Sequence, residues 1–236
     1  QPALAESWEI SEDGTTYTFK IRENVKWSDG EPLKAQDFEY SWKRILNPAT
    51  GGHYAYFLYD VENAEEYNTG KIDDQDKVGV KALDDQTLEV KLRRQASYFP
   101  SLLVFMSTFP MRQDVVEKYG IRWTEPENIV TLGPYKLSAW RHHDNMLIQI
   151  NPNYWGPKPS IENVNMVMNE NPSSALALYE SGELDFADSK SIPPLEVPRL
   201  KNLNDFKSTP QFRTNYIAFN VEKPPFDNPL VRKAFS

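Results

Sequence analysis

Short runs of alternating apolar and polar residues, each closed by a turn-forming cluster, constrain this chain more than any other feature. Trp8 and Ile10 alternate up to Ser11-Glu12-Asp13-Gly14, and Tyr17, Phe19 and Ile21 then alternate with Thr16, Thr18 and Lys20. Successive strand side chains point to opposite faces, so the pattern predicts a hairpin with one buried face. A second hairpin is predicted over Val78–Leu92: Val78, Val80 and Ala82 lead into Asp84-Asp85, and Leu88, Val90 and Leu92 lead out. Between the two the period changes. After a turn at Ser28-Asp29-Gly30, Phe38, Trp42, Ile45 and Leu46 recur at helical spacing, predicting a helix over Gln36–Leu46 that Asn47-Pro48 stops.

Further helical patterns fall over a segment ending at Gly70, over Ser97–Phe105, and over Arg112–Tyr119, the last closed by Gly120 as a left-handed cap. The remainder is strand-rich: Tyr135–Trp140, Met146–Ile150, Val164–Met168, Leu184–Ala187 and Asn215–Val221 all read as strands. Ser173 or Ser174 is the expected cap of a helix carrying Leu176, Leu178 and Tyr179 and ending at Gly182. Interleaved helix and strand patterns give a mixed α/β or α+β class. The polar run Thr124-Glu125-Pro126-Glu127-Asn128 is the best internal boundary. It separates a front part with 15 Lys/Arg against 21 Asp/Glu from a rear part with 11 against 13. At the far end Asn228-Pro229 reads as an N-cap followed by proline at the first helical position. Only two amphipathic turns, Leu230 to Ser236, come after it. The opening Gln1-Pro2-Ala3-Leu4 lacks an initiator Met, and the chain is expected to be cut from a larger protein.

Composition narrows the function classes. A net charge of −8 argues against nucleic acid, whose phosphates attract basic surfaces. With no cysteine, disulfide scaffolds, thiol catalysis and Cys-ligated zinc are excluded. The most apolar stretch, Leu102–Met106 and on to Phe109, is too short to span a bilayer. His142 and His143 are adjacent and would point to opposite faces of a strand, and His53 has no partner at ligand spacing. Asp73-Asp74-Gln75-Asp76 lacks the glycine and distal glutamate of a calcium loop. No nucleophile elbow, Walker loop or dinucleotide fingerprint occurs, and no cofactor is expected. A glycosidase-type carboxylate pair stays open among 34 acidic residues. The positive signal is aromatic: Tyr54, Tyr56, Phe57 and Tyr59 fall within six positions. Such a run serves either a binding wall or an ordinary core.

The motifs, taken together, go further. Pro2-Ala3-Leu4-Ala5-Glu6-Ser7-Trp8, Val25-Lys26-Trp27-Ser28-Asp29-Gly30 and Ala35-Gln36-Asp37-Phe38 open the series. Val80-Lys81-Ala82-Leu83-Asp84-Asp85, Gly133-Pro134-Tyr135 and Asn151-Pro152-Asn153-Tyr154-Trp155 follow, then Ser181-Gly182-Glu183-Leu184-Asp185 and Phe219-Asn220 with Pro224-Pro225-Phe226. In this order they resemble the solute-binding proteins of bacterial oligopeptide/dipeptide ABC importers (extracellular solute-binding protein family 5), most of all the oligopeptide branch. The resemblance implies a type II periplasmic-binding-protein-like fold that closes on its ligand. Residues 1–124 would be the family's extra lobe, 125–228 part of the first mixed-sheet lobe, and 229–236 the start of a truncated opposite lobe.

The implied activity is non-enzymatic capture of oligopeptides outside the cytoplasm for delivery to permease subunits. The protein would be a monomer in the periplasm, or a lipoprotein whose anchor lies outside this sequence. Main-chain hydrogen bonds would hold the peptide, and roomy wet pockets its side chains. An oligosaccharide, a metal chelate or a signalling peptide is the alternative solute, and a glycoside hydrolase the alternative class. At the residue level the family's pattern implies ligand contacts at Tyr54, Phe105, Asp188, Ser189, Tyr216, Ala218 and Asn220. Phe105 stands where close relatives have histidine, Asp188 and Ser189 where relatives have asparagines, and Ala218 where a relative offers a carboxylate. On a strand over Asn215–Val221, Tyr216, Ala218 and Asn220 would face the cleft, and Ile217, Phe219 and Val221 the core.

Overall fold

The computed structural model describes residues 3–211 and 214–235. Pro2 of the opening motif and Ser236 of the last helix lie outside them. The chain forms two compact units, Gln1–Met168 and Asn169–Ser236.

The first unit is built on the two predicted hairpins. Strands β1 (Ala5–Ile10) and β2 (Thr16–Ile21) pair antiparallel across the Asp13-Gly14 turn, where Gly14 adopts φ +72°. A Cβ there would lie 2.7 Å from the Gln95 side chain, so the turn demands glycine twice over. Helix α1 (Ala35–Leu46) and the short α2 (Ala64–Asn68) precede β3 (Val80–Ala82) and β4 (Thr87–Lys91). The sheet order is β1-β2-β4-β3, with Tyr17 opposite Val90 and Phe19 opposite Leu88. Alternation puts Tyr17, Phe19, Ile21, Leu88 and Val90 on one buried face, which α1 covers with Trp42 and Leu46. Trp8 and Ile10 sit on the edge strand and stay partly exposed.

Helix α3 spans only Phe99–Leu102, shorter than the predicted Ser97–Phe105, because the chain turns away at once. The Thr108 hydroxyl lies 2.9 and 2.8 Å from the Leu103 and Phe105 carbonyls and fixes that turn. Helix α4 (Gln113–Tyr119) ends at Gly120, whose φ +56° and ψ −130° are not the left-handed helical cap expected. A second sheet follows as a meander, β5 (Tyr135–Arg141), β6 (Asn145–Ile150) and β7 (Asn163–Val167), close to the predicted bounds. His142 and His143 occupy its first hairpin tip rather than a strand.

Loop motifs tie this second sheet to the first. Ser28 donates its N–H to the Thr131 carbonyl at 2.9 Å, and its Oγ accepts from the Thr131 N–H at 3.1 Å. Asn153 donates to the Ser28 carbonyl at 3.1 Å. Asn151, fully buried, receives the Asn153 N–H and donates to the Gly133 carbonyl, while its own N–H reaches Pro134. Val130 and Leu132, flanking Thr131, pack against the core. The Trp27–Gly30, Gly133–Tyr135 and Asn151–Trp155 motifs are therefore one clasp.

In the second unit, helix α5 (Pro172–Glu180) is capped by Asn171, not by Ser173 or Ser174. The Asn171 Oδ1 accepts from both serine N–H groups, which places those serines inside the first turn. Helices α6 (Val197–Leu200) and α7 (Pro229–Lys233) are single turns, and α7 begins at the Asn228 cap and Pro229 as predicted. Two predicted strands are absent. Leu184–Ala187 follows a wrapped helix end, where the Glu183 and Leu184 N–H groups both bond Leu178, and no strand pairs with it. Asn215–Val221 is likewise unpaired, with Ile217 and Val221 exposed and only Phe219 half-buried, against Phe226 and Phe235. Alternation requires a neighbouring strand to become a ladder, and among the described residues none is present.

The clasp gives a stability prediction. Asn151→Ala strands the half-buried Asn153 N–H and Gly133 carbonyl and is expected to cost about 1–3 kcal/mol. Asn145→Ala, which removes only an exposed bond to Asn165, should stay within about 0.5 kcal/mol. Urea unfolding midpoints of the two variants check the contrast.

Candidate ligand-binding site

Two apolar features stand out in the first unit. A cavity of about 1150 Å³ opens beside the first sheet, with Trp8, Phe19, Phe38, Trp42 and Met106 in its wall. That is slightly larger than a usual small-molecule pocket. Ser107 lines it too, and its buried Oγ has no hydrogen-bond partner among the described residues. At the sequence level Trp8 and Phe19 read as strand residues, Phe38 and Trp42 as one helix face, and Met106 as part of an apolar run. No periodicity could reveal that the space between them is unfilled.

The second feature is an aromatic cluster. Tyr54 leads into a 3-10 turn over Ala55–Leu58, whose buried Ala55 and Leu58 anchor it to the core. Phe105 precedes a second 3-10 turn, Met106–Thr108, anchored by buried Ser107 and Thr108. The two turns meet. Phe105 stacks on Phe57 with centroids 4.4 Å apart and planes 9° from parallel. Tyr54 stands edge-on to Phe105 at 5.0 Å and to Phe57 at 6.0 Å, and Tyr56 tilts against Phe57 at 4.9 Å. The fold thus brings together Tyr54 and Phe105, two of the residues implied by family resemblance. Phe57 was legible only as part of the aromatic run, since its partner lies 48 positions away.

The other five residues belong to the second unit. Asp188 is committed locally: its Oδ1 accepts from the Lys190 N–H, the Ser191 N–H and the Ser191 hydroxyl. The Ser191 hydroxyl, followed by those backbone donors, holds the Asp188 carboxyl below its ordinary range. Ser189 lies in the same turn, exposed. Tyr216 is 84% exposed, Ala218 is also exposed, and Asn220 turns its Oδ1 back onto the Glu222 N–H. They lie on unpaired backbone, not on one face of a strand.

With the geometry in hand, comparison with known proteins is decisive on kinship. Residues 1–236 match the family described as Bacterial extracellular solute-binding proteins, family 5 Middle. The oligopeptide-binding protein OppA of Bacillus subtilis is 38% identical over 241 residues, covering 100% of this chain and 44% of that protein. The periplasmic oligopeptide-binding protein OppA of Salmonella typhimurium is 39% identical over 239 residues, covering 99% and 43%. The crystal structure of Haemophilus influenzae OppA in complex with RPPGFSPFR superposes with a TM-score of 0.83 at 35% identity, covering 99% of this chain and 46% of that one. The chain belongs to the family 5 bacterial extracellular solute-binding proteins, with their type II binding-protein fold. It spans under half the length of these relatives.

Near the start of α1, Asp37 is a buried acid. Its Oδ2 accepts from the Trp27 indole at 3.1 Å and from the Lys34 N–H at 3.0 Å, while Arg112 nearby pairs with Asp29 and Asp114. Burial pushes the Asp37 carboxyl above its ordinary 3.8, and those hydrogen bonds and Arg112 only partly offset it. An acid raised in the folded state stabilises most below its unfolded value and loses that contribution as pH rises through the folded one. Asp37→Asn is therefore expected to gain stability relative to the native chain between pH 3 and pH 7. Urea unfolding at several pH values measures it. The opposite trend would mean that the donors outweigh burial.

Proposed function

We propose that this protein is the extracytoplasmic solute-binding component of an ABC importer and captures oligopeptides without chemically altering them. The carrying observation is the match along the whole chain to oligopeptide-binding relatives, one of them solved with RPPGFSPFR bound. The family to which the chain belongs is one of solute-binding proteins, which supports a role in binding rather than catalysis. Ligand contacts would come from Tyr54 and Phe105 in the first unit and from Asp188, Ser189, Tyr216, Ala218 and Asn220 in the second. In lobe terms, 1–124 would be the extra lobe, 125–228 part of the first mixed-sheet lobe and 229–236 the entry to the opposite lobe. Delivery would be to permease subunits, from a monomer that is periplasmic or held at the outer face of the cell membrane by a lipid anchor. No helix of the described residues is long and apolar enough to cross a membrane.

Peptide capture between lobes requires both walls, because association costs about 4–15 kcal/mol of rigid-body freedom before any contact contributes. Isothermal titration with mixed tri- to pentapeptides is expected to give micromolar or tighter binding for the full-length protein. The 236 residues alone should bind no tighter than about millimolar. Absence of any peptide binding by the full-length protein, or turnover of a peptide or glycoside, would defeat this function.

A further inference from the structure

We infer that the Tyr54, Tyr56, Phe57 and Phe105 rings form a side-chain pocket selecting peptides that carry an uncharged apolar residue, aromatic above aliphatic, at one ligand position; this rests on the peptide-binding function proposed above. The rings are not core. Tyr17 and Phe99 in the same unit are 2% and 0% exposed, whereas Tyr54 and Tyr56 are 45% and 56% exposed. Four rings in one chain of contacts, the two tyrosines exposed and Phe57 and Phe105 half-buried, make an apolar surface that a matching partner would cover.

Charge fixes the occupant's class. The chain is 25% charged, but Gln95 to Met111 and Tyr54 to Tyr59 contain no Asp, Glu, Lys, Arg or His. An ionised ligand side chain pressed onto these rings would lose its water and meet no counter-charge from either segment. An apolar one loses nothing polar, and an aromatic one gains the offset or edge-on ring geometry that the cluster already displays. The Tyr54 and Tyr56 hydroxyls make no hydrogen bond among the described residues, which leaves two donors for the polar main chain of a peptide. Rigidity comes from behind: Ala55 and Leu58 on one turn, and Thr108 bonded to the Leu103 and Phe105 carbonyls on the other, hold the rings before a ligand arrives.

The test is a positional scan. A penta-alanine host carrying Phe, Leu, Glu or Lys at each position in turn is titrated calorimetrically into the full-length protein and into Phe105→Ala, Phe105→Leu and Phe57→Ala variants. Thermal melts confirm that each variant is folded. At one position Phe is expected to bind about tenfold or more tighter than Glu or Lys, with Leu between. Phe105→Ala should erase most of that ratio. If Phe105→Ala does not fold, Phe105→Leu serves, and loss of the Phe-over-Leu preference is the supporting result. Peptides that bind with equal affinity at every position, or a Phe preference that survives both truncations, overturn the pocket alone. Absence of all peptide binding overturns the pocket and the peptide function together. Malto-oligosaccharide binding abolished by Phe105→Ala would reassign the rings to sugar stacking and overturn the proposal as well.

Discussion

The joint between the two sheets of the first unit depends on one polar residue in a tight turn. Ser28 uses its N–H, its Oγ and its carbonyl, bonding Thr131 twice and Asn153 once, and so joins the loop after β2 to the strand-rich region more than 100 positions later. A hydrogen bond contributes little net energy, but a buried group left unpaired costs its full desolvation. Once Val130 and Leu132 pack against the core, the backbone between them is partly dry and must find partners. Ser28 supplies them. Trp27 is held in turn through its indole on Asp37, which ties the clasp to the first turn of α1. The Trp27–Gly30, Gly133–Tyr135 and Asn151–Trp155 motifs are thus connectors that tie the two sheets of the first unit together.

How much of this the sequence disclosed follows from which constraints are local. The hairpins and α1 were legible because alternation and helical spacing each specify a face, and the same residues then bury that face. The Asp13-Gly14 turn and the Asn228-Pro229 helix start were legible because turn and cap chemistry act over two or three residues. Asn215–Val221 misled for the complementary reason. Its alternation is as clean as that of β2, but β2 has β1 and β4 beside it, whereas the backbone at 215–221 has no partner strand among the described residues. Asn171, Ser173 and Ser174 are all good caps, so residue type alone does not single out Asn171. Pro172 decides among them, since proline belongs at the first helical position.

The candidate site was legible in its members but not in their arrangement. An aromatic run at 54–59 and an apolar run at 102–109 both stand out in the sequence. That Phe57 and Phe105 lie face to face depends on α1, which the two runs approach from different directions. Ser41 donates to the Phe109 carbonyl at 2.6 Å and Trp42 to the Thr108 carbonyl at 2.8 Å, so the helix fixes the backbone of the second run. No pattern within either run contains that information.

This coupling has a consequence for how specificity can change. The segment from Tyr98 to Met111 does three things: it lines the cavity, it caps the core beside Trp42, and it presents Phe105. Its backbone is bound by α1 through side chains and by the Asp37 carbonyl, which accepts from the Met111 N–H at 3.2 Å. Its fold therefore relies on backbone carbonyls and on buried Ser107 and Thr108, while the ring of Phe105 projects to a half-exposed position that none of those bonds requires. A different side chain at 105 would leave those bonds intact and, at the pocket proposed above, alter only the surface offered to a ligand. The absence of charge over 95–111 is then a property of the wall as a whole, whereas the choice of ring at 105 is a free variable on a rigid frame. Such a division, in which backbone hydrogen bonds set position and one outward side chain sets preference, would let proteins of one fold differ in the ligands they hold.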